Sequence, residues 1–132
     1  SYKGRTERTR AMFEEAGTVY IYFSYGVHWC MNIAGGPTGI GEGILIRGFE
    51  PIVGIDIMKR NREISELKNL SNGPGKVTQA LGITKEFYGH KIWEPPLYIA
   101  EDKEEITLPE LIKTSPRIGI SKNKESMLRF YL

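Results

Sequence analysis

Between Glu15 and Glu42 the chain carries no Asp, Glu, Lys or Arg, and the aromatic part of that span runs Thr18-Val-Tyr-Ile-Tyr-Phe-Ser-Tyr-Gly-Val-His-Trp-Cys-Met-Asn32. From Val19 to Phe23 the residues alternate, with Val19, Ile21 and Phe23 on one side and Tyr20 and Tyr22 on the other, the period of a half-buried strand. Trp29 to Ile33 repeats the apolar, strand-favouring character, and Gly26 within Ser24-Tyr25-Gly26-Val27 supplies the positive φ of a tight reversal. The stretch therefore reads as a β-hairpin with Tyr25 at its tip. A surface tyrosine on a turn is the plainer account of Tyr25 from the residues alone.

The rest of the chain supplies elements to surround this hairpin. Glu50-Pro51 opens a helix expected over residues 52–67, with Ile52, Ile55 and Met58 on one face and Lys59, Arg60, Glu63, Glu66 and Lys68 on another. Pro74 to Leu81 is a second helix, closed by Gly82. Strands are expected at Ile44–Arg47, Leu97–Ile99, Arg117–Ile120 and Met127–Leu132, with a mixed, loop-like run from Thr84 to Pro96 and an acidic solvated turn at residues 101–105. Gly35 to Gly43 is rich in glycine, but a strand rather than a helix follows it and no Gly-Lys-Ser/Thr ending is present, so it reads as a connection and not a phosphate loop. The expected fold class is α+β: a single domain with a curved antiparallel sheet, a projecting β-hairpin and flanking helices. Its 132 residues suit one core.

Several chemistries are set aside by composition. Cys30 is the sole cysteine, which excludes an internal disulfide and a multi-cysteine zinc site and suits a reducing compartment. His28 and His90 lie far apart in sequence, so no metal site is expected, and no stretch reads as a secretion signal or a membrane helix. Lys3, Arg5, Arg8 and Arg10 against Glu7 alone give residues 1–10 a net +3, leaving −1 on the remainder of a chain whose total is +2. This segment lacks hydrophobic periodicity and reads as an extended basic arm, suited either to phosphate contact or simply to solvent. Met12 and Phe13 follow it as core anchors.

The hairpin stretch Tyr20-Ile-Tyr-Phe-Ser-Tyr-Gly-Val-His-Trp-Cys-Met-Asn32 resembles the central motif of the alkyladenine (3-methyladenine) DNA glycosylases. Further matches keep the family's order: Arg10–Phe13, Ile44–Arg47 leading to Glu50-Pro51, Asn72–Lys76, Gln79–Ile83, Arg117–Ile120 and Leu128–Tyr131. The resemblance covers nearly the whole chain. The family's catalytic Glu, in a Glu-x-Tyr segment, and its pocket His both fall before the position matched by Ser1. Residues 1–132 are thus expected to form a partial glycosylase domain without its N-terminal catalytic segment.

By that resemblance, the complete protein is a monofunctional base-excision repair glycosylase. It flips alkylated or deaminated purines out of duplex DNA and hydrolyses the N-glycosidic bond with Glu-activated water. Tyr25 at the tip, widened by Val27, is the wedge that fills the vacated stack; Tyr22, Asn32 and Leu45 receive the base, Asn32 crowding guanine's exocyclic amino group. Arg47 supports the catalytic Glu and the DNA at the lesion, while Arg5, Thr6, Arg8 and Lys85 contact the DNA backbone. No cofactor is implied. The expected partner is double-stranded DNA containing damaged purines, bound by a monomer in a nucleoid-bearing cytoplasm or in a nucleus, with no membrane association. Two rival readings stand beside this one: a catalytically incomplete DNA-binding fragment of the family, and a nucleotide-binding protein using the Gly35–Gly43 loop.

Overall fold

A computed structural model describes residues 4–101 and 109–132. The chain packs into two compact units, residues 1–99 and 100–132. In the first, the alternating stretch forms β1 (Val19–Ser24) and β2 (His28–Ala34), antiparallel, with β3 (Gly43–Leu45) on the other edge of β2. The register pairs Tyr20 with Asn32 and Tyr22 with Cys30, and across β2 it pairs Asn32 with Leu45. Directly paired residues project to one face and successive residues to opposite faces. Val19, Ile21 and Met31 therefore turn together into the core, where Ile83 joins them and Trp29, Ile46, Phe87, Tyr88, Ile92 and Leu97 pack around them.

The turn between the strands is tight. Val27 N–H donates to the Ser24 carbonyl at 3.0 Å, and both central residues, Tyr25 (φ 51°) and Gly26 (φ 66°), are left-handed. Glycine adopts that conformation freely, whereas tyrosine is strained there by about 1–2 kcal/mol.

The second expected helix is α2 (Pro74–Ala80), which our numbering places after α1 (Ile55–Arg62). Proline occupies the first turn of α2, and Val77, Thr78 and Ala80 are buried. β3 pairs only with residues 32–34 of β2. Beyond it α2 takes up the open edge: Thr78 Oγ1 donates to the Trp29 carbonyl at 2.8 Å. The His28 ring lies so close to Gly75 that a Cβ there would sit 2.3 Å from His28 Cδ2. Asn61 Nδ2 donates to the Ala80 carbonyl at 3.0 Å, and Arg62 bonds Gln79, joining α1 to α2.

Helix α1 is shorter than the expected 52–67, and Pro51 lies outside it. Gly54 takes φ 74° as its N-cap, which breaks the helical run before Ile55. At the far end Glu63 is left-handed; its N–H donates to Arg60 O and the Ile64 N–H to Lys59 O, each at 3.1 Å, a closure usually built on glycine. Leu97–Ile99 is not a strand; its one ladder-like bond runs from Ile99 N–H to Ile92 O at 2.7 Å.

The glycine-rich connection behaves as a spacer. Gly39 N–H donates to the Phe13 carbonyl at 2.8 Å, the Phe13 ring lies against Gly41, and strand β3 follows directly. Residues 4–10 depart from the extended arm expected over residues 1–10. Thr6 and Thr9 close a local turn, Thr9 N–H donating to Thr6 O at 3.0 Å, and the chain enters a 3-10 helix at Arg10–Phe13. Within that helix Ala11 is fully buried while Met12 and Phe13 are half-buried. Lys3 lies outside the described residues.

In the second unit β4 (Lys113–Ser115) pairs antiparallel with β5 (Arg129–Tyr131). The strand expected at Arg117–Ile120 is absent because Pro116, with no N–H, ends β4 and the Arg117 N–H turns to Lys124 O at 3.0 Å. Positions 102–105 of the expected acidic turn lie outside the described residues. The class is α+β, with antiparallel pairing throughout the described strands. None of the described helices is long and apolar enough to cross a membrane.

The Gly75–His28 contact yields a sign test. In a helix, Gly→Ala ordinarily stabilises by about 1 kcal/mol. Gly75→Ala should instead destabilise, by about 1–3 kcal/mol in urea unfolding, because the added methyl meets the imidazole. In a His28→Ala background the same change should stabilise. Stabilisation in both backgrounds would refute the packing described.

Candidate functional site

The sheet face opposite the core carries Tyr20, Tyr22, Cys30, Asn32 and Leu45, set side by side by the β1–β2–β3 register. Tyr22, Asn32 and Leu45, the three residues expected to receive a base, are thus neighbours on one surface. Tyr20 and Tyr22 stack with centroids 5.6 Å apart and planes inclined by 28°. Asn32 is 8% exposed and donates from Nδ2 to the Tyr20 carbonyl at 3.4 Å, a long bond that orients the amide along the face. Asparagine at the centre of a strand is disfavoured by propensity, so the position is held by pairing on both sides rather than by preference.

The electrostatics keep this surface neutral but leave a cation beside it. Burial, followed by the adjoining Cys30 thiol and Tyr20, pushes the Tyr22 phenol up to about 12, with Arg47 opposing. Tyr22 is therefore uncharged across the physiological range. Burial also raises Tyr20, against the pull of Arg8. Arg47 is half-buried, and among the described residues it forms no ion pair. A partly desolvated guanidinium without a carboxylate is available to an anion.

The same two strands carry the tip. Tyr25 is 90% exposed and Val27 73% exposed, so neither side chain contributes packing to the body. A strained, solvent-exposed aromatic stands directly beyond an aromatic-lined face.

Arg5, Thr6 and Arg8 are exposed, and among the described residues neither arginine forms an ion pair. Thr6 is already engaged: its N–H donates to Thr9 Oγ1 at 2.9 Å and its hydroxyl lies 2.9 Å from the same atom. Lys85 is exposed at the start of the 3-10 helix Lys85–Phe87. Of the two histidines, His28 packs on Gly75, and His90 Nε2 lies 2.7 Å from the Leu97 carbonyl and 2.9 Å from that of Glu94. Among the described residues no three His, Cys, Asp or Glu side chains gather as a metal site.

Three residues of this region are not among those expected to act at the site. Tyr20 shares the face with Tyr22, as the alternation of β1 indicates, and the pairing across the hairpin adds Cys30. Tyr88 sets its ring edge-on to Tyr20 (6.1 Å, 78°), and no local pattern marks it.

Residues 1–132 match a family model described as methylpurine-DNA glycosylase. A protein of Nitrosospira multiformis named "Putative 3-methyladenine DNA glycosylase" is 46% identical over 132 residues, covering all of this chain and 66% of that protein. Proteins of the same name from Methanoculleus marisnigri and Chlorobium phaeobacteroides are 44% and 43% identical, again over the whole chain, which covers 69% and 65% of them. The chain spans about two thirds of the length of these relatives. With an unbroken family match and identities of this size, the chain belongs to the methylpurine-DNA glycosylase family.

Proposed function

We propose that residues 1–132 form the base-receiving and DNA-gripping part of a monofunctional repair glycosylase. It acts as a monomer, without a cofactor, on duplex DNA containing alkylated or deaminated purines. One observation carries the reading: Tyr22, Asn32 and Leu45 share a face of the sheet whose own hairpin holds Tyr25 outward in a left-handed turn. A duplex can release a purine into a protein only if something occupies the vacated stack and something receives the base. Tyr25, with Val27 beside it, does the first. The flat ring of Tyr22 does the second, with stacking worth about 1–3 kcal/mol per base.

Selection follows from the neighbours of Tyr22. The Asn32 amide, held at the strand centre, stands where an exocyclic amino group on a guanine would be crowded or left unpaired, at a penalty of about 1–3 kcal/mol. Leu45 closes the apolar side. Arg47, beside Tyr22 and without a carboxylate of its own, steadies the anionic groups at the lesion. Arg5, Arg8 and Lys85 meet backbone phosphates, and Thr6 shapes the turn that presents them.

No Asp or Glu occupies the paired strand positions on the Tyr22 face. That favours assigning water activation to the family's Glu, in the Glu-x-Tyr segment the resemblance implies. It also favours binding, rather than turnover, as the readout for these residues. The glycine connection does not favour the nucleotide-binding reading, since it packs on Phe13 and runs into a strand.

A duplex with one hypoxanthine should bind more tightly than its undamaged counterpart in fluorescence anisotropy. Tyr25→Gly should lower that preference by about 1–3 kcal/mol, five- to 150-fold in affinity. Its melting temperature should stay the same or rise, because relief of about 1–2 kcal/mol of strain offsets the glycine's extra chain entropy. Equal binding of both duplexes, before and after the change, would remove the wedge. Asn32→Ala is expected to narrow the gap between hypoxanthine- and guanine-containing duplexes by roughly tenfold; an unchanged gap would exclude Asn32 as the discriminator.

A further inference from the structure

The proposed phosphate contacts and the proposed base-receiving face come from segments far apart in sequence, and one side chain joins them. The Tyr88 hydroxyl lies 3.1 Å from the carbonyls of both Glu7 and Arg8, to either of which it can donate, and it accepts from the Ala11 N–H at 3.1 Å. The bonds to Glu7 and Arg8 tie residues 4–9 to a distant part of the chain, whereas those of Thr6 and Thr9 close the local turn, reach back to Gly4 or lead into the 3-10 helix. The Tyr88 ring packs edge-on with Tyr20, which stacks on Tyr22, while the Arg10 guanidinium sits 5.9 Å from the Tyr88 ring centroid. Its backbone N–H donates to the Lys85 carbonyl at 3.0 Å. Arg8 and Lys85 are therefore each one hydrogen bond from Tyr88, and Tyr22 is two ring contacts from it.

We infer that Tyr88 is a positioning residue that holds the phosphate-contacting arm in register with the base-receiving face. This rests on the function proposed above. A cationic arm on an untethered turn contacts phosphates in many registers, and ordering it on binding has an entropic penalty. A hydroxyl that fixes consecutive carbonyls beforehand removes part of that penalty. The ring stack transmits the same constraint to Tyr22, so a phosphate held by Arg8 lies at a set distance from a purine held by Tyr22.

Tyr88→Phe keeps the ring and removes the hydroxyl. With the 132-residue chain and the hypoxanthine duplex, the variant should bind roughly fivefold more weakly. Its plot of log affinity against log salt should be shallower by about one, the loss of one phosphate contact. Arg8→Ala should flatten the wild-type plot by the same amount and add nothing in the Tyr88→Phe background. In the free variant, hydrogen exchange should quicken at Glu7–Ala11 and stay unchanged in β1 and β2.

Two results overturn the inference alone: a wild-type salt slope in Tyr88→Phe while Arg8→Ala flattens it, or faster exchange throughout β1 and β2, which would make Tyr88 a general stabiliser. Failure of the wild-type chain to prefer the hypoxanthine duplex is a different outcome. It removes the proposed function and the inference with it.

Discussion

The antiparallel register of β1 on β2 decides which residues can act together. Because side chains alternate along a strand, sliding one strand by a single residue would turn Tyr20 and Tyr22 toward the Val19–Ile21–Met31 cluster and turn Val19 and Ile21 away from it. That slip is opposed by the burial of Val19, Ile21 and Met31, each worth about 1.5–3 kcal/mol when removed from water. It is also opposed by Gly26, whose position fixes where the chain reverses. Packing on one side of the sheet thus determines the composition of the other. The grouping of Tyr22, Asn32 and Leu45 is a consequence of the core rather than of any contact among those three.

Around that register the molecule holds two features that packing alone does not account for. Tyr25 takes a strained conformation with its ring in solvent, and Arg47 is half-buried without an ion pair among the described residues. A chain shaped by folding alone would use glycine or asparagine at position 25 and would pair or expose the guanidinium. Both sit next to the same aromatic face, and their coincidence there is what a binding site predicts. α2 stiffens this arrangement by filling the open edge of β2 beneath the tip, through Thr78 on the Trp29 carbonyl and His28 on Gly75.

The hairpin and α2 were legible in the sequence because each is specified locally: a two-residue period around a glycine, and a Gly-Pro start with a glycine stop. The pairing of Tyr20 with Tyr22 on one face followed from the same alternation, whereas Cys30 joins them only through the register across the hairpin. Helix α1 was misjudged at both ends, since a helix closed by left-handed Glu63 bears no residue that announces it. β4 is three residues long and owes its pairing to β5, so the neighbouring apolar run at Arg117–Ile120 was the more conspicuous and the wrong one. Tyr88 was out of reach altogether. Its partners lie 77 to 81 residues away, and nothing in the surrounding sequence separates it from an ordinary loop tyrosine.

The proposed capture of an unstacked purine on the aromatic face is tested by placing 2-aminopurine beside a hypoxanthine in a duplex and following its fluorescence while the protein is added. Stacking quenches this base, so extrusion of its neighbour should raise the emission in step with binding, saturating at the same protein concentration as the anisotropy. Complete binding with the emission still quenched would mean that the duplex stays stacked on this protein and would contradict the account.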